Sequence, residues 1–222
     1  MADGSFRLGP DGIYRCDAFQ VFVWQKHGFG TRHANPRADV TLRQIHSDRV
    51  LNARELSDRE TEGDALITDE IGKSVGVRTA DCVAILLLDA RTRAVAAVHA
   101  GWRGTAANLV QHTLESMRAN FHTDPANVYA AMGPCIRGCC YEVGAEVATR
   151  FEPLFPEWEG VAGSRKMDLP EANRRQMQTA GVNPDRIFDS GLCTACQSAQ
   201  FFSFRREPEN RGRMIAAISR LA

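Results

Sequence analysis

The sequence predicts a mixed α/β fold, with residues 1–222 forming one domain in which a layered mixed sheet is flanked by helices. Three observations carry that expectation. A continuous apolar run from Val83 to Leu88 is followed, after the polar turn Asp89-Ala90-Arg91-Thr92-Arg93, by a second from Ala94 to Val98, the pattern of two buried adjacent antiparallel strands. Directly after them, Leu109, Val110, Leu114, Met117 and Phe121 recur at helical spacing. No internal repeat or low-complexity linker divides the chain, so a single layered unit is the parsimonious architecture.

Taken in order, Ala18 to Trp24 reads as a strand, Phe19, Val21 and Val23 alternating with Gln20 and Phe22. His27-Gly28-Phe29-Gly30-Thr31-Arg32 then reads as a glycine turn, which Arg32 leaves as a contact for an anion or phosphate. A strand over Val40–Ile45 leads into Gln44-Ile45-His46-Ser47-Asp48, where His46 stands at a strand end beside small polar residues. Arg54 to Gly63 lacks an apolar face and is expected to be a surface connection. Gly63–Thr68 and Ser74–Arg78 are two short strands that lead to the hairpin, and Thr105 is positioned to cap the helix that follows it.

Val128 to Met132 is the next strand. Asp168-Leu169-Pro170 opens a helix with proline in its first turn, running to Ala180 and stopped by Gly181. Arg186–Asp189 and Ala199–Phe204 are short strands, the latter expected to pack Phe201, Phe202 and Phe204 inside. Arg213–Ser219 closes the sheet.

Composition narrows the function. The chain carries 27 Lys and Arg against 27 Asp and Glu, a net charge of zero, so it lacks the basic surplus with which proteins neutralise nucleic-acid phosphates. Its longest apolar run stops at Asp89, short of a bilayer span, and Met1 to Phe6 shows no charged segment followed by an apolar one. Cytoplasm is the expected compartment, neither nucleic acid nor membrane is an expected partner, and a monomer is the expected state, with any small-molecule substrate left to the motifs. In that compartment the seven cysteines are reduced thiols.

Chemistry concentrates at the hairpin. If its strands pair across the turn, Cys82 and His99 meet at one open end, suiting either a metal or a nucleophile with its base. His46, at a third strand end, can join them as a Cys-His-His set suited to zinc, leaving the fourth tetrahedral position to water. Gly101, Arg103 and Gly104 form a glycine-rich strand-to-helix turn able to cradle an oxyanion or phosphate. Cys135, Cys139 and Cys140 invite a metal too, but Cys139 and Cys140 are adjacent and point opposite ways on extended backbone. Cys193-x-x-Cys196 has zinc-like spacing and no second pair of that form, so these thiols are expected to be buried ones.

Seven motifs in order extend the argument: Gln44-Ile45-His46-Ser47, Gly63 to Thr68, Thr79-Ala80-Asp81-Cys82, His99 to Gly104, Gly133-Pro134-Cys135-Ile136, Tyr141-Glu142-Val143-Gly144 and Phe202-Ser203-Phe204-Arg205-Arg206. From His27 onward the chain resembles the YfiH-like family, whose members are also called laccase-domain proteins, multicopper polyphenol oxidase-like proteins or peptidoglycan editing factor. The resemblance implies a zinc-dependent enzyme that cleaves adenosine, inosine, guanosine or methylthioadenosine with phosphate and also deaminates adenosine, its metal held by His46, Cys82 and His99. Asp81, Asp64 or Glu142 would then carry the proton, and Arg32, Arg103 and the turn amides would anchor phosphate.

The chain departs from the family in a brief loop between Arg32 and His46, and in Arg211, which stands where threonine is usual and is expected to matter little. Copper is disfavoured as the metal, because six histidines without a His-x-His pair cannot build a multinuclear cluster. Two other functions fit the same residues: a cysteine hydrolase, with Cys82 as nucleophile and His99 as base, editing peptidoglycan precursors, and a non-enzymatic zinc-binding interaction module.

Overall fold

A computed structural model describes residues 6–56, 61–158 and 163–222. Met1–Ser5 and part of the Arg54–Gly63 connection, residues 57–60, lie outside them. The chain begins with β1 (Phe6–Leu8), β2 (Tyr14–Cys16), one turn of helix α1 (Asp17–Gln20) and β3 (Gln25–Phe29). Helix and turns replace the strand expected over Ala18–Trp24. Phe19 is buried, but Val21 and Val23 are 72% and 87% exposed, so the alternation marks no buried face. Phe22 and Gln25 instead bond backward to the carbonyls of Phe19 and Phe22. His27, Gly28 and Phe29, expected to form a turn, are the strand: they pair with Ile218, Ala217 and Ala216.

β4 (Val50–Asn52), β5 (Ala65–Thr68) and β6 (Ser74–Thr79) follow. The strand expected over Val40–Ile45 is reduced to isolated bridges, Val40 to Val75 and Arg43 to Glu62. Here the Gln44 side-chain amide does a strand's work, donating to Arg78 O and accepting from Arg78 N, both at 2.8 Å.

The hairpin forms as its pattern demands. β7 (Val83–Asp89) and β8 (Val95–Ala100) run antiparallel with Val83 opposite Ala100 and Leu88 opposite Val95, and every residue of both strands is buried. Beyond it the helical stretch splits into α2 (Trp102–Ala106) and α3 (Leu109–Phe121). Thr105 caps neither. It is buried within α2, where its hydroxyl accepts from Asn173 Nδ2 at 3.1 Å, while Gly101 and Asn108 occupy the caps.

The remainder comprises β9 (Val128–Met132), β10 (Glu142–Val143), α4 (Ala145–Thr149), β11 (Arg165–Lys166), α5 (Leu169–Thr179), β12 (Ile187–Asp189) and β13 (Met214–Arg220). Asp168 caps α5 as expected, its Oδ1 accepting from Glu171 N at 3.1 Å. No strand forms over Ala199–Phe204. The Gln200 and Phe201 amides bond to Gln197 O, and Arg206 donates to the carbonyls of Thr194, Ala195 and Phe201. Of its phenylalanines only Phe201 is buried; Phe202 is half-buried and Phe204 is 50% exposed.

These elements stack in three layers. A five-stranded sheet, β1-β2-β3-β13-β6, faces a six-stranded sheet, β12-β9-β7-β8-β5-β4. Along β7 the pleat sends Val83, Ile85 and Leu87 into one core with α3 and α5, and Ala84, Leu86 and Leu88 into another with β3, β6 and β13. Because both faces are covered, β7 reads as an unbroken apolar run. Each buried leucine contributes about 1.5–3 kcal/mol, which makes this hairpin the rigid support for whatever its open end carries. No helix among the described residues is long and apolar enough to cross a membrane.

Candidate metal centre and active site

Three side chains converge at the open end of the hairpin. Cys82 immediately precedes β7 and His99 is the penultimate residue of β8. His46 arrives on the loop that follows the Arg43 bridge. Their ligand atoms all lie within 4.8 Å of one another, Cys82 Sγ is 4.0 Å from His46 Nε2, and the two imidazole rings are 4.9 Å apart.

One buried carboxylate arranges this convergence. Asp64 Oδ1 accepts from His46 N at 3.0 Å and from His99 Nδ1 at 2.8 Å, while Oδ2 accepts from Ser47 N and Ser47 Oγ, both at 2.6 Å. Burial disfavours its charge, but the hydrogen bonds from His99 and Ser47 outweigh burial and hold the carboxyl at about 2. An ionised Asp64 makes Nδ1 of His99 the donor and leaves Nε2 free to ligate, as a carboxylate–histidine–metal arrangement would require. The same bonds hold His46 at φ 60°, a left-handed conformation that costs a non-glycine residue about 1–2 kcal/mol. Gly101 completes the fit, since a Cβ there would stand 2.9 Å from Cys82 Sγ and 3.2 Å from His46 Cδ2.

Charge follows geometry. Burial alone would raise the Cys82 thiol, yet the His99 charge and hydrogen bonds from both imidazoles bring it down to about 6. His99 moves the opposite way: Cys82 and Asp64 overcome the burial that would otherwise lower it. His27 lacks such partners. It is buried in β3 with Arg15 nearby, and burial first, then that positive charge, lower it to about 4.

Asp81, beside Cys82, holds φ 93°, a conformation costing of order 1–3 kcal/mol unless its surroundings fix it. They do: its carboxylate accepts from Thr194 Oγ1 at 2.6 Å and Arg205 N at 2.7 Å, and its carbonyl from Ile136 N at 2.9 Å.

The trio opens into a cavity of about 640 Å³, the size range of small-molecule sites. His46, Cys82, His99 and Asp81 line it with the aromatic rings of Trp102, Tyr141 and Phe204 and the guanidinium groups of Arg43, Arg78, Arg103, Arg205, Arg211 and Arg213. Arg103 lies over the Trp102 ring at 4.4 Å and pairs with no carboxylate among the described residues; Arg205 lies over Tyr141 at 5.2 Å.

Other residues singled out from sequence stand elsewhere. Arg32 donates to Ser198 O at 2.5 Å, pairs with Glu207 at 3.5 Å and packs on Phe202, fastening the 198–207 segment without lining the cavity. Glu142 is exposed and accepts from the Ser164 hydroxyl. Gly101 and Gly104 make room for protein, Gly104 lying where a Cβ would approach Ser47 O at 3.1 Å. Arg211, expected to matter little, is a wall of the cavity. Sequence spacing offered no sign of Arg43 or Arg213, which only tertiary folding brings near residue 82, while Arg78, four residues before Cys82, stands in the sequence only as the end of an expected strand. Arg205 did carry a visible signal, its place in the Phe202-Ser203-Phe204-Arg205-Arg206 run.

A second group of thiols gathers away from the cavity. Cys139 and Cys140 lie in a turn, not on extended backbone, and with Cys193 and Cys196 their sulfurs all lie within 4.8 Å of one another. The expectation of buried thiols holds for Cys193 and fails for Cys196, which is exposed, as is Cys139.

Comparison with known proteins shows the family and the fold. Residues 26–221 match the model of the family described as multi-copper polyphenol oxidoreductase laccase. The purine nucleoside phosphorylase YlmD of Geobacillus stearothermophilus is 38% identical over 180 residues, 78% of this chain and 66% of the relative. A crystal structure of YlmD from that organism superposes with a TM-score of 0.87 at 29% identity, covering 98% of this chain and 99% of the other. The adenosine deaminase RL5, from an unknown prokaryote, is 38% identical over 197 residues, 82% of this chain and 74% of the relative. The Bacillus licheniformis protein YfiH superposes with a TM-score of 0.87 at 25% identity, over 98% and 99% of the two chains.

Proposed function

This chain belongs to the multi-copper polyphenol oxidoreductase laccase family, and from that premise we propose that it is a zinc-dependent purine nucleoside enzyme. Relatives named as purine nucleoside phosphorylases and an adenosine deaminase support purine nucleoside processing. The finer reading is phosphorolysis of adenosine, inosine, guanosine and methylthioadenosine, with deamination of adenosine alongside. The observation that carries it is the meeting of His46, Cys82 and His99 at the base of an arginine- and aromatic-lined cavity.

The residues fit the metal. One thiolate and two imidazoles are a zinc donor set, and Asp64 supplies the outer carboxylate that fixes the tautomer of His99. Bound there, zinc would act as a Lewis acid on water and on the purine ring.

The chain's own groups do the rest. Trp102, Tyr141 and Phe204 offer ring faces to a planar base. Arg103 and Arg205, with Arg211 on the wall, offer forked donors to phosphate. In phosphorolysis a phosphate oxygen forms the bond to the ribose C1′ as the bond from C1′ to the base breaks, and the base nitrogen takes a proton. In deamination water adds at C6 and ammonia leaves. We assign the proton carrier to Asp81, since Asp64 is saturated with donors and Glu142 stands outside the cavity, whereas Asp81 lines it and its carboxylate has lone pairs beyond the two in use.

Adenosine given to zinc-loaded protein with and without phosphate tests this reading. Adenine that appears only with phosphate, and inosine without it, are expected; neither product would refute it. The thiolate–imidazolium character of Cys82 and His99 favours one rival, a cysteine hydrolase acting on an amide. Amidase turnover untouched by chelator, and abolished by alkylation at Cys82, would establish that rival. Tight zinc binding without turnover of any nucleoside would instead leave an interaction module.

A further inference from the structure

We propose that Cys139, Cys140, Cys193 and Cys196 form a second metal site, a closed tetrathiolate that holds one structural zinc ion. The distances carry the argument. Cys139 Sγ lies 3.8 Å from Cys140 Sγ and 3.7 Å from Cys196 Sγ, and Cys140 Sγ lies 3.4 Å from Cys196 Sγ. Four sulfurs placed tetrahedrally at the zinc–thiolate distance of about 2.3 Å stand about 3.8 Å apart along each edge. A disulfide requires about 2.05 Å, so no pair here is bonded, and all seven cysteines are free. With every sulfur within 4.8 Å of the others, the enclosed space suits a single ion and is too small for a sulfide-bridged cluster.

The backbone explains how adjacent cysteines reach one ion. Cys140 N and Tyr141 N both bond to Arg137 O, curling residues 137–141 so that Cys139 and Cys140 no longer diverge as on a strand. Gln197 N bonds back to Cys193 O, closing one helical turn that brings Cys193 and Cys196 to the same side. The two loops are already zipped at Cys135 and Cys193, where Cys135 N donates to Leu192 O and Thr194 N to Cys135 O. Cys139 and Cys196 are exposed, so an ion has an entry path.

The site's place in the fold gives it a role. One loop leads into Tyr141, a wall of the cavity. The other carries Thr194, whose hydroxyl holds the strained Asp81, and both Thr194 O and Ala195 O are held by Arg206. A zinc across these loops would lock one wall of the cavity to the turn before Cys82 without touching substrate, and its binding would release the thiol protons.

The test does not depend on the proposed nucleoside chemistry. Whole chain purified under reducing conditions is dialysed, and bound zinc is measured by plasma mass spectrometry for the unaltered protein, for Cys82→Ser, and for Cys82→Ser carrying Cys139→Ser and Cys196→Ser. About two ions per chain, then about one, then less than a tenth of an ion are expected. Cobalt exchanged into soluble Cys82→Ser keeps the result decisive should the triple variant fail to fold: intense sulfur-to-cobalt charge-transfer absorption with tetrahedral ligand-field bands is expected. Cys82→Ser protein that binds neither zinc nor cobalt overturns the proposal. So does non-reducing peptide mapping that finds any two of the four cysteines joined as a disulfide in the freshly purified chain.

Discussion

Two cysteine-bearing clusters in one chain differ in almost every property that decides what a metal site can do. Around Cys82 there are three side chains able to hold a metal, a buried carboxylate behind one of them, and a cavity in front. Around Cys196 there are four sulfurs, with no buried carboxylate bonded to them among the described residues, and none of the four lines that cavity. Three ligands leave a coordination position for chemistry, and four close it. The difference begins in the backbone: the first cluster is fixed by the ends of two fully buried strands and a strained loop, the second by two surface turns.

The largest break to this contrast is removal of the thiol at the open site. Cys82→Ser should lower nucleoside turnover roughly a thousandfold, equivalent to losing several kcal/mol of transition-state stabilisation, with the melting temperature nearly unchanged. Steady-state kinetics beside calorimetry checks both halves. At the closed site the balance should reverse in kind. Cys139→Ser with Cys196→Ser should lower the melting temperature by roughly 10 °C, since a structural zinc is worth several kcal/mol of folding free energy.

A smaller change separates ligand from support. Asp64→Asn leaves all three ligands in place but removes the charge that orients His99, and should weaken zinc binding by about 10–100-fold in competition with a chromogenic chelator. Arg103→Ala sharpens the reading of the wall: the KM for phosphate should rise roughly tenfold or more, while phosphate-free deamination stays within about twofold.

The smallest effect is one of pH, and it compares thiols directly. In metal-free protein, Cys82 should alkylate with a midpoint near about 6, because the thiolate is stabilised by His99 and His46 against a burial that opposes it. The folded value lies below that of an ordinary thiol, so the thiolate persists down to that midpoint and is lost below it. Buried Cys16, which burial pushes up to about 11, should stay unreactive throughout. Iodoacetamide labelling followed by peptide mass spectrometry across pH reads both residues in one sample.

What could be read from residues alone follows the same divide. The hairpin was legible because both its faces are buried and its apolar run is continuous, and α5 because Asp168 and Pro170 mark its start. His46, Cys82 and His99 could be nominated together, since each stands at or near the edge of a predicted strand. The strain that joins them could not be seen: histidine and aspartate adopt positive φ more readily than most residues, but His46 and Asp81 are held there by partners remote in sequence, Asp64 in one case, Thr194 and Arg205 in the other. Alternation misled over Ala18–Trp24 because Val21 and Val23 face solvent. An aromatic run misled over Ala199–Phe204 because turns and Arg206 take up its backbone groups. Cys139 and Cys140 were set aside on the geometry of a strand, and the chain turns there instead.

Zinc added back to stripped protein tests the central claim most directly, with turnover of adenosine followed against ion bound, in the unaltered chain and in Cys82→Ser. Activity should return in step with zinc in the first and at no zinc concentration in the second. Full turnover in the stripped chain, or its recovery in Cys82→Ser, would contradict the account.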